Sequence, residues 1–117
     1  MRNMRGLFLV AGFTVWAATG LAATAGAQTA PIERGQKAYS AEKCAICHAI
    51  EGKGNAKGQL DGVGSKLTSD DIRQWIVAAP EMSAKSKAAR KPAMKAYANL
   101  SKEDLDGLVA YLASLKK

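Results

Sequence analysis

Residues 44–48, Cys-Ala-Ile-Cys-His, contain both cysteines and the only histidine of this chain. Two thiols and an imidazole at such close spacing are compatible with several kinds of site: a disulfide, a metal site, a redox-active or nucleophilic cysteine, and a covalently attached cofactor. Each kind requires a different fold around it. This motif therefore constrains the structure more than any other feature of the sequence.

Three of these interpretations fit the rest of the sequence poorly. A redox disulfide of the thioredoxin type lies between a strand and a helix, and no segment here shows sustained strand alternation. Structural zinc takes four ligands, and a carboxylate added to Cys44, Cys47 and His48 would close no sizeable loop. A cysteine nucleophile needs a histidine from elsewhere in the fold. The motif therefore predicts c-type haem attachment, with two thioether bonds from the cysteines and iron ligation by His48.

The N-terminal residues 1–27 have the layout of a secretory signal peptide. Arg2 and Arg5 precede an uncharged apolar stretch, and small residues at 25–27 form an A-x-A-like cleavage site. We expect cleavage after residue 27, which leaves a single mature domain of residues 28–117. The uncharged run over 6–27 is also long enough to span a bilayer, so an uncleaved anchor is the alternative. In both cases the domain would face an exported compartment, the periplasm of a bacterial cell.

The hydrophobic pattern of the predicted domain indicates three helices and an all-α fold. The first covers 31–43 with a proline near its start, the second follows Thr68 or Ser69 as N-cap and stops at Pro80, and the third begins after Ser101 and runs to the C-terminus. Between them lie a glycine-rich loop and a Lys- and Ala-rich segment with some helical character, over 51–66 and 80–99. Loops this long in a small domain are usually functional or disordered.

The chain has one histidine, so no second histidine can occupy the remaining axial position of a haem iron. Methionine, lysine or an open site are the possibilities, and two of the four methionines lie in the predicted leader. Met82 follows a predicted helix, where a methionine often packs in the core. Met94 lies between Lys91 and Lys95 in a predicted loop, where an apolar side chain has little packing role. Met94 is therefore the favoured ligand, with Met82 as the alternative.

Over residues 31–117 the sequence resembles the class I, mitochondrial-like monohaem cytochromes c. The resemblance is carried by "ERGQKAY" with "CAICH", by "LDGVGSKLTSDDIRQWI", by "KPAM" and by "LSKEDLDGLVAYLASLK". It implies one covalent haem c with His48 and Met94 as axial ligands. It also implies N- and C-terminal helices that cross closely at four residues, namely Gly35, Tyr39, Leu108 and Tyr111.

Two positions depart from the family pattern. The family often has a proline whose carbonyl accepts the ring N–H of the proximal histidine, and Gly58 or Gln59 occupies that region here. Tyr39 lies five residues before Cys44, one more than in some relatives. Neither departure affects a predicted iron ligand.

Ligation by histidine and methionine leaves no open coordination site, so the resemblance implies a one-electron carrier and not an enzyme. A haem subunit of a larger periplasmic oxidoreductase and a gas-binding or sensor haem with a labile sixth ligand are the alternatives. Apolar residues expected to line the haem pocket, unless they form ordinary core, are Leu60, Leu67, Trp75 and Ile76.

The chain carries a formal net charge of +7. Five basic residues surround the predicted methionine loop without an acid among them: Lys85, Lys87, Arg90, Lys91 and Lys95. In the resembled family such a cluster meets acidic redox partners, whereas the alternative is an ordinary solvated loop. The export signal and the lack of a recognisable nucleic-acid-binding module both argue against nucleic acid as a partner.

Overall fold

The computed structural model describes Gly12 and residues 26–117. The predicted leader over 1–27 lies almost wholly outside these residues, so its processing stays a prediction. Within the described part of the chain, no helix combines the length and apolar character needed to cross a membrane.

The described residues form five α-helices and one small β-hairpin, which confirms the all-α prediction apart from the hairpin. The helices are α1 (Gly26–Ala41), α2 (Val63–Lys66), α3 (Ser69–Val77), α4 (Ala79–Ser86) and α5 (Lys102–Ser114). Strands β1 (Ala49–Ile50) and β2 (Lys53–Gly54) pair antiparallel, and two short 3₁₀ turns cover Cys44–Ile46 and Ala56–Gly58.

Helix α1 differs from the prediction at both ends. It begins at Gly26, so Pro31 lies inside the helix and not at its first position. At this position the proline removes one i→i−4 hydrogen bond of the helix, and its ring crowds the carbonyl four residues earlier. The helix ends at Ala41, before the predicted residue 43, because Lys43 turns into the left-handed region with φ 55°.

The interpretation of Pro80 as a helix stop is wrong. Helix α3 ends at Val77, and Pro80 lies in the first turn of α4, where its missing N–H needs no partner. The N-cap of α3 is Thr68, one of the two predicted candidates, and it forms a capping box with Asp71. The segment over 80–99, for which some helical character was predicted, therefore starts as helix α4, and the chain is irregular over 87–101.

The glycine-rich segment is more regular than expected. Glu51 and Gly52 have φ values of 50° and 74°, which is the conformation of a two-residue type I′ hairpin turn. Each strand of the hairpin has two residues, too few for an alternating pattern to be visible in the sequence.

Helices α1 and α5 cross closely, as the family resemblance implies. A Cβ atom on Gly35 would overlap the carbonyl group of Gly107, so the two backbones are in contact there. The rings of Tyr39 and Tyr111 meet edge to face with centroids 6.0 Å apart. Arg34 on α1 also pairs with Asp104 on α5 at 2.8 Å. The core that surrounds this crossing contains Ala38, Tyr39, Ile50, Ile72, Ile76, Leu108, Val109 and Leu112.

Candidate functional site

The Cys-x-x-Cys-His motif forms one tight turn. The backbone N–H groups of Cys47 and His48 both donate to the carbonyl of Cys44, at 3.1 and 2.9 Å. In a 3₁₀ turn, side chains three residues apart lie above one another, so the two thiols project from the same side. Both cysteines are free; Cys44 is half-buried and Cys47 is exposed. Two reduced thiols on one side of a turn fit attachment to a common group.

His48 is half-buried, and a hydrogen bond fixes its ring orientation. Its Nδ1 lies 3.1 Å from the carbonyl oxygen of Gly58. Because a carbonyl can only accept, Nδ1 carries the proton and Nε2 keeps the lone pair that binds a metal. Burial lowers the pKa of His48, and the nearby Arg90 guanidinium acts in the same direction. The carbonyl that accepts the ring N–H of His48 therefore belongs to Gly58 and not to Gln59, in the region where the family often has a proline.

The β-hairpin holds the motif from its other side. The backbone N–H of Asn55 donates to the carbonyls of His48 and Ala45 at 2.9 and 3.1 Å, and its side-chain amide donates to Ile46 at 3.1 Å. Gly54 adopts φ +109°, and a Cβ there would overlap the His48 carbonyl. Sequence reasoning missed Asn55; the available signal was an asparagine inside a glycine-rich turn region.

The surroundings of Cys44 are apolar. Burial, followed by the charge of Glu42, raises the pKa of its thiol to about 11. The hydroxyl of Tyr39 is buried without a hydrogen-bond partner in the described structure. Burial, followed by the influence of Cys44, raises the pKa of Tyr39 to about 12. A buried hydroxyl without a partner is costly, and a polar substituent of a bound group would satisfy it.

The predicted pocket residues are only partly brought together. Ile76 belongs to the hydrophobic core, and Leu60 and Leu67 pack against it, as does Cys44. Trp75 is half-buried and is not part of this cluster. Three of the four residues therefore share one apolar cluster with a thiol of the motif.

Both candidate methionines are half-buried. Met82 lies on α4, whereas Met94 lies in the irregular segment 87–101. Three residues after Met94, Tyr97 packs against the core and donates its backbone N–H to Ile76 at 2.8 Å. Lys95, next to Met94, is close enough to Cys44 to act on its pKa in the lowering direction. The segment that carries Met94 therefore passes near the cysteine motif.

All five basic residues of the predicted contact patch are exposed. Two of them have side-chain contacts with other described residues: Lys95 Nζ lies 4.9 Å from the ring centroid of Tyr97, and Arg90 Nη2 donates to the Cys47 carbonyl at 2.5 Å. Ile46, between the two cysteines, is 69% exposed. Within residues 26–117, no three His, Cys, Asp or Glu side chains converge into a metal-binding cluster.

Both comparisons that found a match point to cytochrome c. A family model described as "Cytochrome c" matches residues 32–116. The chain is also similar to "Cytochrome c oxidase subunit 2" of Alkalihalophilus pseudofirmus (strain ATCC BAA-2126 / JCM 17055 / OF4), at 28% identity over 92 residues. This alignment covers 71% of the chain but 25% of the relative, so the chain spans about a quarter of that protein's length. No solved structure matches the chain.

Proposed function

The chain belongs to the cytochrome c family, whose domains carry out haem-based electron transfer, and on that premise we propose that it is a periplasmic one-electron carrier. It would hold a single haem c through Cys44 and Cys47, with His48 and Met94 as the axial iron ligands. The observation that carries this proposal is the hydrogen bond from His48 Nδ1 to the Gly58 carbonyl. It leaves Nε2 available for iron in a turn that also presents two thiols on one side.

The residues present fit such a group. Bound haem supplies an iron that alternates between the ferric and ferrous states and so carries one electron. The protein contributes a fixed imidazole, two thiols for attachment, and the apolar cluster that contains Ile76 and excludes water. The unpartnered Tyr39 hydroxyl beside Cys44 supports the same view, because this buried polar atom lacks a partner among the residues that the structure describes.

The choice of Met94 over Met82 rests on the path of the chain. Met94 is half-buried in an irregular segment that Tyr97 anchors to the core, and neither methionine belongs to the core cluster. Met82 lies on a regular helix that needs no ligand to hold it. Complete ligation by histidine and methionine leaves no site for substrate, which supports an electron carrier and not an enzyme.

Optical spectra of the holoprotein test this ligand set. The ferric wild-type protein should show a weak sulfur-to-iron charge-transfer band at the red end of the spectrum. Met94→Ala should abolish this band, whereas the matched control Met82→Ala should keep it. The opposite pattern would move the ligand to Met82. Rapid binding of carbon monoxide by the ferrous wild-type protein would instead support a gas-binding or sensor haem.

Location and partners complete the proposal. The predicted leader supports export to the periplasm. Haem staining of the periplasmic, membrane and cytoplasmic fractions of cells would test this location. The exposed basic residues of 85–95 and the exposed Ile46 favour docking to redox proteins with acidic faces.

A second candidate function is that of a haem subunit within a larger periplasmic oxidoreductase. The similarity to a protein named as an oxidase subunit favours it. Purification of the native protein under mild conditions distinguishes the two. A monomeric haem protein supports the carrier, and stable co-purification with oxidoreductase subunits supports the second candidate.

A further inference from the structure

Arg90 makes the contact that links the methionine segment to the cysteine motif. Its Nη2 donates to the carbonyl of Cys47 at 2.5 Å, although the two residues are 43 positions apart. Among the described residues, this is the one hydrogen bond between segment 87–101 and residues 44–48. A hydrogen bond from a guanidinium to a carbonyl is charge-assisted and stronger than a neutral one.

The guanidinium also lies against Gly58. A Cβ atom at that position would overlap both Arg90 Nη1 and the Cys47 carbonyl, so the absence of a side chain leaves room for the arginine. Gly58 is the residue whose carbonyl accepts the His48 ring N–H. Arg90 therefore contacts the residue that precedes His48 in the chain and the residue that orients its ring.

Other anchors of the same segment lead elsewhere. The backbone of Ala88 bonds to Ser83 on α4, and that of Tyr97 bonds to Ile76 on α3. Met94 lies four residues after Arg90, so the chain allows at most about 14 Å between their backbones. Fixing Arg90 on the motif thus limits how far Met94 can move relative to His48.

We propose that Arg90 is a positioning residue that holds the Met94 segment on the turn that carries His48. This proposal rests on the ligand set proposed above. It removes Arg90 from the docking patch and gives it a role inside the site. The lysines on either side do not share this role, because the side chains of Lys87 and Lys91 are exposed and have no hydrogen-bond or ion-pair partner in the described part of the chain.

Titration of the ferric holoprotein with imidazole tests the proposal. Imidazole competes for the iron with methionine, and loss of the charge-transfer band reports the displacement. We expect Arg90→Gln to tighten apparent imidazole binding by about tenfold, the range for losing one charge-assisted hydrogen bond. Arg90→Lys should restore part of the difference, because an ammonium can donate to the Cys47 carbonyl but cannot cover Gly58 with a planar fork.

Lys91→Gln is the matched control, since it removes the same charge from the next residue. It should leave imidazole binding unchanged. Equal effects of Arg90→Gln and Lys91→Gln, or wild-type behaviour of both, would overturn the proposal. If Arg90→Gln does not fold, Arg90→Lys replaces it in the comparison. Tighter imidazole binding by Arg90→Lys than by Lys91→Gln supports the proposal, and equal binding by the two variants overturns it. Absence of the band from the wild-type protein would instead refute methionine ligation and with it the ligand set of the proposed function.

Discussion

Substitution of Gly35 by alanine tests the contact between α1 and α5. The new methyl group would overlap the Gly107 carbonyl group and lie 2.6 Å from Cβ of Tyr111. Because much of the obstruction is helix backbone, no side-chain rotation relieves it and the helices must separate. Overpacking of this kind costs about 1–3 kcal/mol, and sometimes more. Separation would also weaken the edge-to-face contact of Tyr39 with Tyr111, worth about 0.5–1.5 kcal/mol.

Alanine is a better helix former than glycine by about 1 kcal/mol, which offsets part of this cost. We therefore expect Gly35→Ala to lower the free energy of unfolding by about 2 kcal/mol. In a domain of this size that corresponds to a drop in melting temperature of about 8–16 °C. Thermal and denaturant unfolding of the holoprotein, followed by far-UV circular dichroism, would measure it.

Two further variants make the test specific. A Cβ on Gly107 would lie 3.0 Å from Gly35 N and from the Pro31 carbonyl oxygen, so Gly107→Ala should be milder than Gly35→Ala. Gln36 is exposed on the same helix, and Gln36→Ala should leave stability within about 0.5 kcal/mol of wild type. A Gly35→Ala protein at least as stable as wild type would refute the close crossing.

Two other predictions concern charge. Hydrogen bonds from Lys102 and Arg73 lower the pKa of Asp106 below its ordinary value of 3.8. The ionised Asp106 therefore stabilises the fold above pH 3.8. This contribution is lost as the pH falls through the lower pKa of the folded state. Asp106→Asn should therefore reduce the free energy of unfolding at pH 6 and have a shrinking effect below about pH 4 in denaturant titrations; an undiminished effect at pH 2 would contradict this reasoning. For the docking patch, Lys85→Gln should slow electron exchange with anionic ferrocyanide at low salt, with the difference vanishing at high ionic strength in stopped-flow measurements. Lys37→Gln on α1 is the control, and an equal effect of both variants would argue against a localised patch.

The sequence predicted the elements whose signals are local. Thr68 caps α3 and Ser101 caps α5 because the capping side chain and its N–H partner lie three residues apart in the sequence. The helix crossing was expected only through the family resemblance, and Gly107 was missed. Its role depends on Gly35, which lies 72 positions away, and no periodic pattern marks a contact between two backbones.

The role of Pro80 could not be predicted from the sequence for a different reason. A proline both ends helices and begins them, and the residues on its two sides do not decide between these uses. In the structure Pro80 lies in the first turn of α4, which begins at Ala79, two residues after the end of α3.

In the candidate site, the residue types of the motif were sufficient to predict Cys44, Cys47 and His48 as a unit. The residue types did not predict which other residues contact this motif. Gly58 and Asn55 act through backbone atoms and a side-chain amide, and Arg90 acts on a carbonyl 43 positions away. Arg90 was predicted only as part of the basic patch around the methionine loop, and an exposed charge gives no sign that it also bonds to the motif.

The crossing of α1 with α5 also affects the order in which the domain can form. A protein is synthesised from its N-terminus, so α1 emerges long before residues 102–114, which provide its packing surface. Until α5 is complete, the core around Tyr39 and Leu108 cannot close, and the thiols of residues 44–48 belong to an open chain. An enzyme that modifies these thiols would therefore have access to an unfolded substrate until synthesis is complete, and closure of the last helix would end that interval.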